Sequence, residues 1–183
     1  MTINHSSRQD SRRVQVEVIV QDCFDWLDQH NNAARIPAEM WQAWFECWLE
    51  ILQNQIPLAS SYELSLRLSD DAEIQLLNSQ YRQQNKPTDV LAFAALETEF
   101  PNVCKIAADP LYLGDIVISV DTAAKQALGQ GHAIQTELAW LAAHGLLHLI
   151  GWDHPDDDRL NQMLDQQISL LEKVGIAITQ YQG

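Results

Sequence analysis

The sequence predicts an α+β domain in which a mixed sheet of about four strands packs against helices. Three observations carry this expectation. Four short segments are rich in apolar and β-branched residues, two of them strictly alternating with polar ones. The stretches between and after them repeat apolar residues at helical spacing. The composition, 46% hydrophobic and 20% charged over 183 residues, suits one buried core. Residues 14–183 read as a single domain, and residues 1–13 as a flexible N-terminal arm.

In chain order, Val14 to Val20 alternates and reads as a half-buried strand, followed by a polar loop with a short helical turn from Gln21 to Arg35. Ile36-Pro37 opens a long helix, where proline suits the first turn. Trp41, Trp44, Phe45, Trp48, Leu49 and Leu52 form one apolar stripe on it, read as core rather than as a stacking platform for bases. Tyr62 to Leu68 alternates again. Ser69-Asp70-Asp71 then reads as the cap of a helix that buries Ile74, Leu77 and Tyr81 and ends near Arg82. Val90 to Ala94 and Leu113 to Ser119 are the third and fourth strands. Three helices follow, from about Asp121 to Leu128, His132 to Ile150 and Pro155 to Lys173. On the last, Leu160, Met163, Leu164, Ile168 and Leu171 form the face expected to cover the core.

Charge and cysteine usage exclude several classes. With 25 acidic and 11 basic side chains the net charge is −14, which argues against a broad basic face for DNA or an anionic membrane. No apolar run approaches the roughly 18 residues of a membrane span. The polar start, Met1 to Asp10, does not read as a secretory signal, so a cytoplasmic protein is expected. Cys23, Cys47 and Cys104 are odd in number and widely spaced, suiting neither a disulfide framework nor a thiolate metal site. The segment Leu64 to Lys105 is less acidic than those on either side of it, with Arg67, Arg82 and Lys86 among its cations.

The chemically informative run is His144 to His154. Side chains four apart on a helix share a face, so His144 and His148 can converge on one ion. Gly151 can end the helix in a left-handed turn and bring His154 back as a third ligand. Three neutral nitrogens leave a tetrahedral metal one open position, the pattern of catalytic zinc. The spacing also fits the zinc run of metzincin proteases, but Gly145 stands where those need a glutamate base, so peptide hydrolysis by that route is not expected. His5, His30 and His132 lack such a setting and read as surface or incidental residues.

The run His144–His154 resembles the signature H-G-x-L-H-L-x-G-x-D-H of the YbeY family of bacterial endoribonucleases, or rRNA maturation factors. Asn78 to Arg82 with Lys86 to Leu91 resembles that family's N-x-x-Y-R … K-P-T-D-V-L block, and Leu113-Gly114-Asp115-Ile116 its L-G-D-I strand. Where the family continues V-L-S-F-P, this chain has Ala92 and Ala94. The resemblance implies a single-strand-specific, metal-dependent endoribonuclease acting in small-subunit ribosomal RNA maturation and ribosome quality control. It implies one Zn2+ per chain on His144, His148 and His154, and a functional Arg82.

At Arg82 the guanidinium suits bidentate contact with a phosphate. Asp153 would orient a ligand imidazole or cap the last helix; Lys86, Asp89 and Asp115 are candidates for polar or substrate contacts nearby. The nucleophile, water or the substrate's 2′-hydroxyl, stays open. The acidic balance implies weak unaided RNA binding, with ribosome or ribosomal-protein contacts supplying the rest. Two other readings remain: a non-catalytic ribosome-assembly factor with structural zinc, and another metallohydrolase.

Overall fold

A computed structural model describes residues 14–26, 35–95 and 110–178. The arm 1–13, most of the expected loop (residues 27–34), His5, His30 and Cys104 lie outside the described residues. Strands β1 (Val16–Asp22), β2 (Tyr62–Ser69), β3 (Val90–Ala94) and β4 (Leu111–Ser119) alternate with or precede helices α1 (Ala38–Leu52), α2 (Asp71–Arg82), α3 (Val120–Gln130), α4 (Ile134–Leu149) and α5 (Asp157–Lys173). The sheet runs β1-β2-β4-β3; β1, β2 and β4 are parallel and β3 is antiparallel to β4. This is the expected α+β architecture with its mixed four-stranded sheet. The first strand starts two residues later than the alternation suggests and takes in Gln21 and Asp22, which pair with Arg67 and Leu68.

Strand alternation creates two unequal faces. Leu64, Leu66, Leu68, Leu113, Ile116 and Ile118 are sealed into the main core with residues of α1, α4 and α5. The other face meets α2, whose Ile74 joins Leu91 and Val117 in a smaller cluster with Leu77 and Phe93 at its margin. Tyr81, expected to be buried with them, is 60% exposed and touches Phe93 in an edge-on ring contact only.

The stripe of α1 is largely core: Trp41, Phe45, Trp48, Leu49 and Leu52 have no exposed surface, and the half-buried Trp44 packs on Trp41 and Trp48, which supports the core reading over base stacking. Trp48 Nε1–H donates to the Leu170 carbonyl (2.9 Å), tying α1 to α5. Emptying such a site costs roughly 3–5 kcal/mol. At the edge strand, the Gln42 amide donates to Val16 O (2.6 Å) and accepts from Val18 N (3.0 Å), so a helix side chain covers backbone groups an edge would otherwise expose.

Two glycines are dictated by close approach. Gly114 sits at a bulge where β4 shifts register on β2, with φ +135°, and a Cβ there would lie 2.1 Å from Phe93 O. On α4, a Cβ at Gly145 would lie 2.7 Å from Ile116 Cγ2. That position faces the sheet, so it has no room for the glutamate of a metzincin, and even an added methyl costs roughly 1–3 kcal/mol.

Candidate metal centre

Helix α4 carries two of the three histidines on the face turned toward α5, and the chain then reverses sharply. Trp152 N–H reaches Leu147 O (2.9 Å) and Gly151 N–H reaches His148 O (3.0 Å), with Gly151 at φ +94°. This is a complete Schellman ending, in which only glycine meets the left-handed step without strain. Trp152 Nε1–H, bonded to Gln55 (2.8 Å), pins the turn against the 3-10 turn Gln53–Gln55 that follows α1. Asp153 accepts from the backbone N–H of His154 (2.8 Å) and so shapes the turn that presents the third imidazole. It does not cap α5: that role belongs to Asp156, which accepts from Arg159 N (2.8 Å).

His144, His148 and His154 come together, with one nitrogen from each lying within 4.8 Å of the others. His144 Nε2 and His148 Nε2 are 3.0 Å apart. Tautomers follow from the partners on the far side of each ring. Gln167, fully buried on α5, donates from Nε2 to Trp140 O (3.3 Å) and presents Oε1 to His144 Nδ1 at 3.1 Å. That arrangement places the His144 proton on Nδ1 and a lone pair on Nε2. The ring of His148 is likewise hydrogen-bonded to the backbone of Trp152. Two acceptor lone pairs facing each other at this separation repel unless a cation lies between them, so the donor set fits a metal ion. Among the described residues no cysteine or carboxylate joins the group, and three imidazoles leave room for an exchangeable ligand.

The electrostatics agree. Burial holds His144 and His148 below the ordinary imidazole value, His148 at about 4, so both are neutral and ready to ligate at neutral pH. Behind burial, the charges of Asp89 and Arg82 act on His144 in opposite senses.

Arg82 is exposed at the last turn of α2, whose end is fixed by Gln83 in the left-handed region (φ 59°). The buried Asn78 donates to Lys86 O (2.8 Å) and folds the following loop back on the helix. Neither Arg82 nor Lys86 has an ion-pair partner among the described residues. Asp89 is committed to structure: it accepts from Thr88 Oγ1 (3.1 Å), Val90 N (2.8 Å) and Gln126 Nε2 (3.0 Å). Asp115 accepts from the Tyr112 hydroxyl (2.7 Å) on the sheet face that α2 packs against. His132 is not incidental: it lies 2.9 Å from Glu137, a carboxylate with no exposed surface.

Gln167 is the residue sequence reasoning missed. Its signal was present, since it interrupts the buried series Met163, Leu170 and Leu171 of α5 at a helical interval. A polar residue fully inside an apolar stripe needs a partner, and here the partner is a ligand histidine.

Comparison with known proteins agrees with this geometry. The family described as Endoribonuclease YbeY matches residues 26–175. A Nostoc sp. protein named Endoribonuclease YbeY is 56% identical over 180 residues, covering 94% of this chain and 97% of its own length. One of the same name from Trichodesmium erythraeum is 61% identical over 136 residues, 74% of each chain. A solution structure from Thermotoga maritima shares the fold at TM-score 0.53 and 23% identity, covering 86% of this chain and 89% of that one. With a trio of convergent imidazoles on α4 and the turn after it, and with relatives matched over most of its length, the chain belongs to the YbeY endoribonuclease family.

Proposed function

We propose that the protein is a zinc-dependent endoribonuclease that cuts single-stranded RNA in the cytoplasm, acting in small-subunit ribosomal RNA maturation and ribosome quality control. The observation that carries this reading is the pairing of two features: a three-imidazole site, and an exposed Arg82 at the end of α2 with no ion-pair partner among the described residues. A zinc ion held by His144, His148 and His154 would supply a Lewis acid beside the scissile phosphate. Arg82 binds a non-bridging phosphate oxygen pair and offsets the negative charge that grows as the phosphorus becomes five-coordinate. Lys86, in the loop folded back by Asn78, binds a neighbouring phosphate. Asp153 holds the turn that positions His154, and Asp89 fixes the start of β3 rather than touching substrate. Gly145 leaves no side chain to act as base beside His144, which favours phosphodiester over peptide substrates.

A structural role for zinc has one observation of its own: His144 is bonded to α5 and His154 leads into it, so a metal there also joins α4 to α5. Cleavage of a single-stranded RNA by purified protein, with peptide and ester substrates alongside, separates the readings. The nuclease reading expects RNA to be the substrate cut. It expects chelation and His148→Ala to abolish cutting, and Arg82→Ala to lower it roughly 100-fold or more with the fold intact. Full RNA cleavage by Arg82→Ala, or turnover of esters or peptides alone, contradicts it.

A further inference from the structure

The face of the sheet turned away from the main core holds a cleft of about 440 Å³, bounded by α2 and lined by Ser65, Arg67, Leu77, Tyr81, Phe93 and Asp115 among others. Nothing in the reading of the metal centre uses it. Its volume is of the size that takes a small ligand or one unit of a larger one.

The lining is sorted by chemistry. Leu77, Phe93 and the ring of Tyr81 form apolar walls. Tyr81 meets Phe93 edge-on, with centroids 5.0 Å apart, yet stays 60% exposed, although its spacing from Ile74 and Leu77 suits a buried position. Beside Ser65 and Gln21, the polar groups include an acceptor, the Asp115 carboxylate, and a donor, Arg67 Nε–H, which is buried and without a partner among the described residues. The rest of the Arg67 guanidinium is engaged by Gln21 and Glu73.

A phosphate does not suit this cleft, because Asp115 lines it and Glu73 already holds the one arginine. A planar group with apolar faces and a polar edge does suit it. Tyr81, on the wall of the cleft, immediately precedes Arg82, the residue read above as the phosphate contact.

The geometry points to a nucleobase site. An unpaired base of the RNA strand stacks on Tyr81 against Phe93 and presents its edge to Asp115 and Arg67, while the adjoining phosphates lie toward Arg82. This rests on the RNA reading above and explains its single-strand requirement, since a base paired in a duplex cannot enter. The same stacking adds sequence-tolerant affinity that a chain of net charge −14 cannot draw from phosphates.

The test is binding of a 2′-O-methyl RNA oligonucleotide carrying 2-aminopurine to the purified, zinc-loaded protein, followed by fluorescence, with RNA cleavage by the same preparations measured in parallel. The base site expects stacking to quench the fluorophore. It expects Tyr81→Ala, a change at an exposed ring, to weaken binding roughly 5- to 100-fold, and Tyr81→Phe to restore it. It further expects an abasic oligonucleotide to bind wild type and Tyr81→Ala equally. Equal affinity of wild type and Tyr81→Ala for the intact oligonucleotide, or no quenching in the wild type, overturns the base site even if RNA is cut. Tyr81-dependent quenching without cleavage upholds the base site and removes the nuclease reading instead.

Discussion

Gln167 shows how much of a metal centre is decided one shell away from the ligands. Its amide is oriented by the Trp140 carbonyl, and this fixes which nitrogen of His144 carries a proton and which faces the neighbouring imidazole. Such outer contacts typically account for 10- to 100-fold in metal affinity. Gln167→Leu is therefore expected to weaken zinc binding roughly 10- to 100-fold in a chelator-competition titration, while circular dichroism stays native. Unchanged affinity would show that His144 is oriented by α4 alone. The three histidines were legible in the sequence because their spacing and Gly151 encode local geometry. Gln167 was not, because its partner lies 23 residues away and only the packing of α5 on α4 brings the two together.

At the level of elements, the helices that frame the sheet are joined by side chains that cap and brace at once. Asp71, in the first turn of α2, accepts from Ser119 Oγ (2.5 Å), Thr122 Oγ1 (2.6 Å) and Lys125 Nζ (2.7 Å), tying α2 to the start of α3. Burial alone would raise its carboxyl, but these hydrogen bonds outweigh that and hold it below the ordinary carboxylate value. A depressed carboxylate adds stability that is fully present above about pH 4 and is lost as pH falls through the folded-state value. Asp71→Asn is thus expected to lower the urea midpoint at neutral pH, with the gap to wild type closing below about pH 4. A gap independent of pH would contradict the brace. Element order and type followed from periodicity, including the single apolar stripe of α1. The differences have physical causes: β1 is fixed by its pairing with β2, and the face of α5 that covers the core, with Met163 and Leu171 buried and Leu164 and Ile168 packed against it, also takes in Gln167 and Leu170, which apolar spacing did not select.

For the whole molecule, function has to be reconciled with acidity. Few cations are free: among the described residues Arg82 and Lys86 have no ion-pair partner, whereas Arg67 is held by Glu73. Two neutralised phosphates give a log K against log salt slope of about −1.4 for single-stranded RNA. The isolated protein is expected to bind such RNA weakly, with a slope near that value. A slope of about −4 or steeper would reveal a basic surface this account lacks. No helix among the described residues is long and apolar enough to cross a membrane.

The central claim is that three imidazoles hold one ion and leave a position for an exchangeable ligand. X-ray absorption at the zinc edge of the metal-loaded protein reads this directly. The account predicts one zinc per chain with three imidazole nitrogens at about 2.0 Å and one light, exchangeable neighbour. A sulfur neighbour, a fourth protein ligand, or an unchanged zinc content in His148→Ala would contradict it.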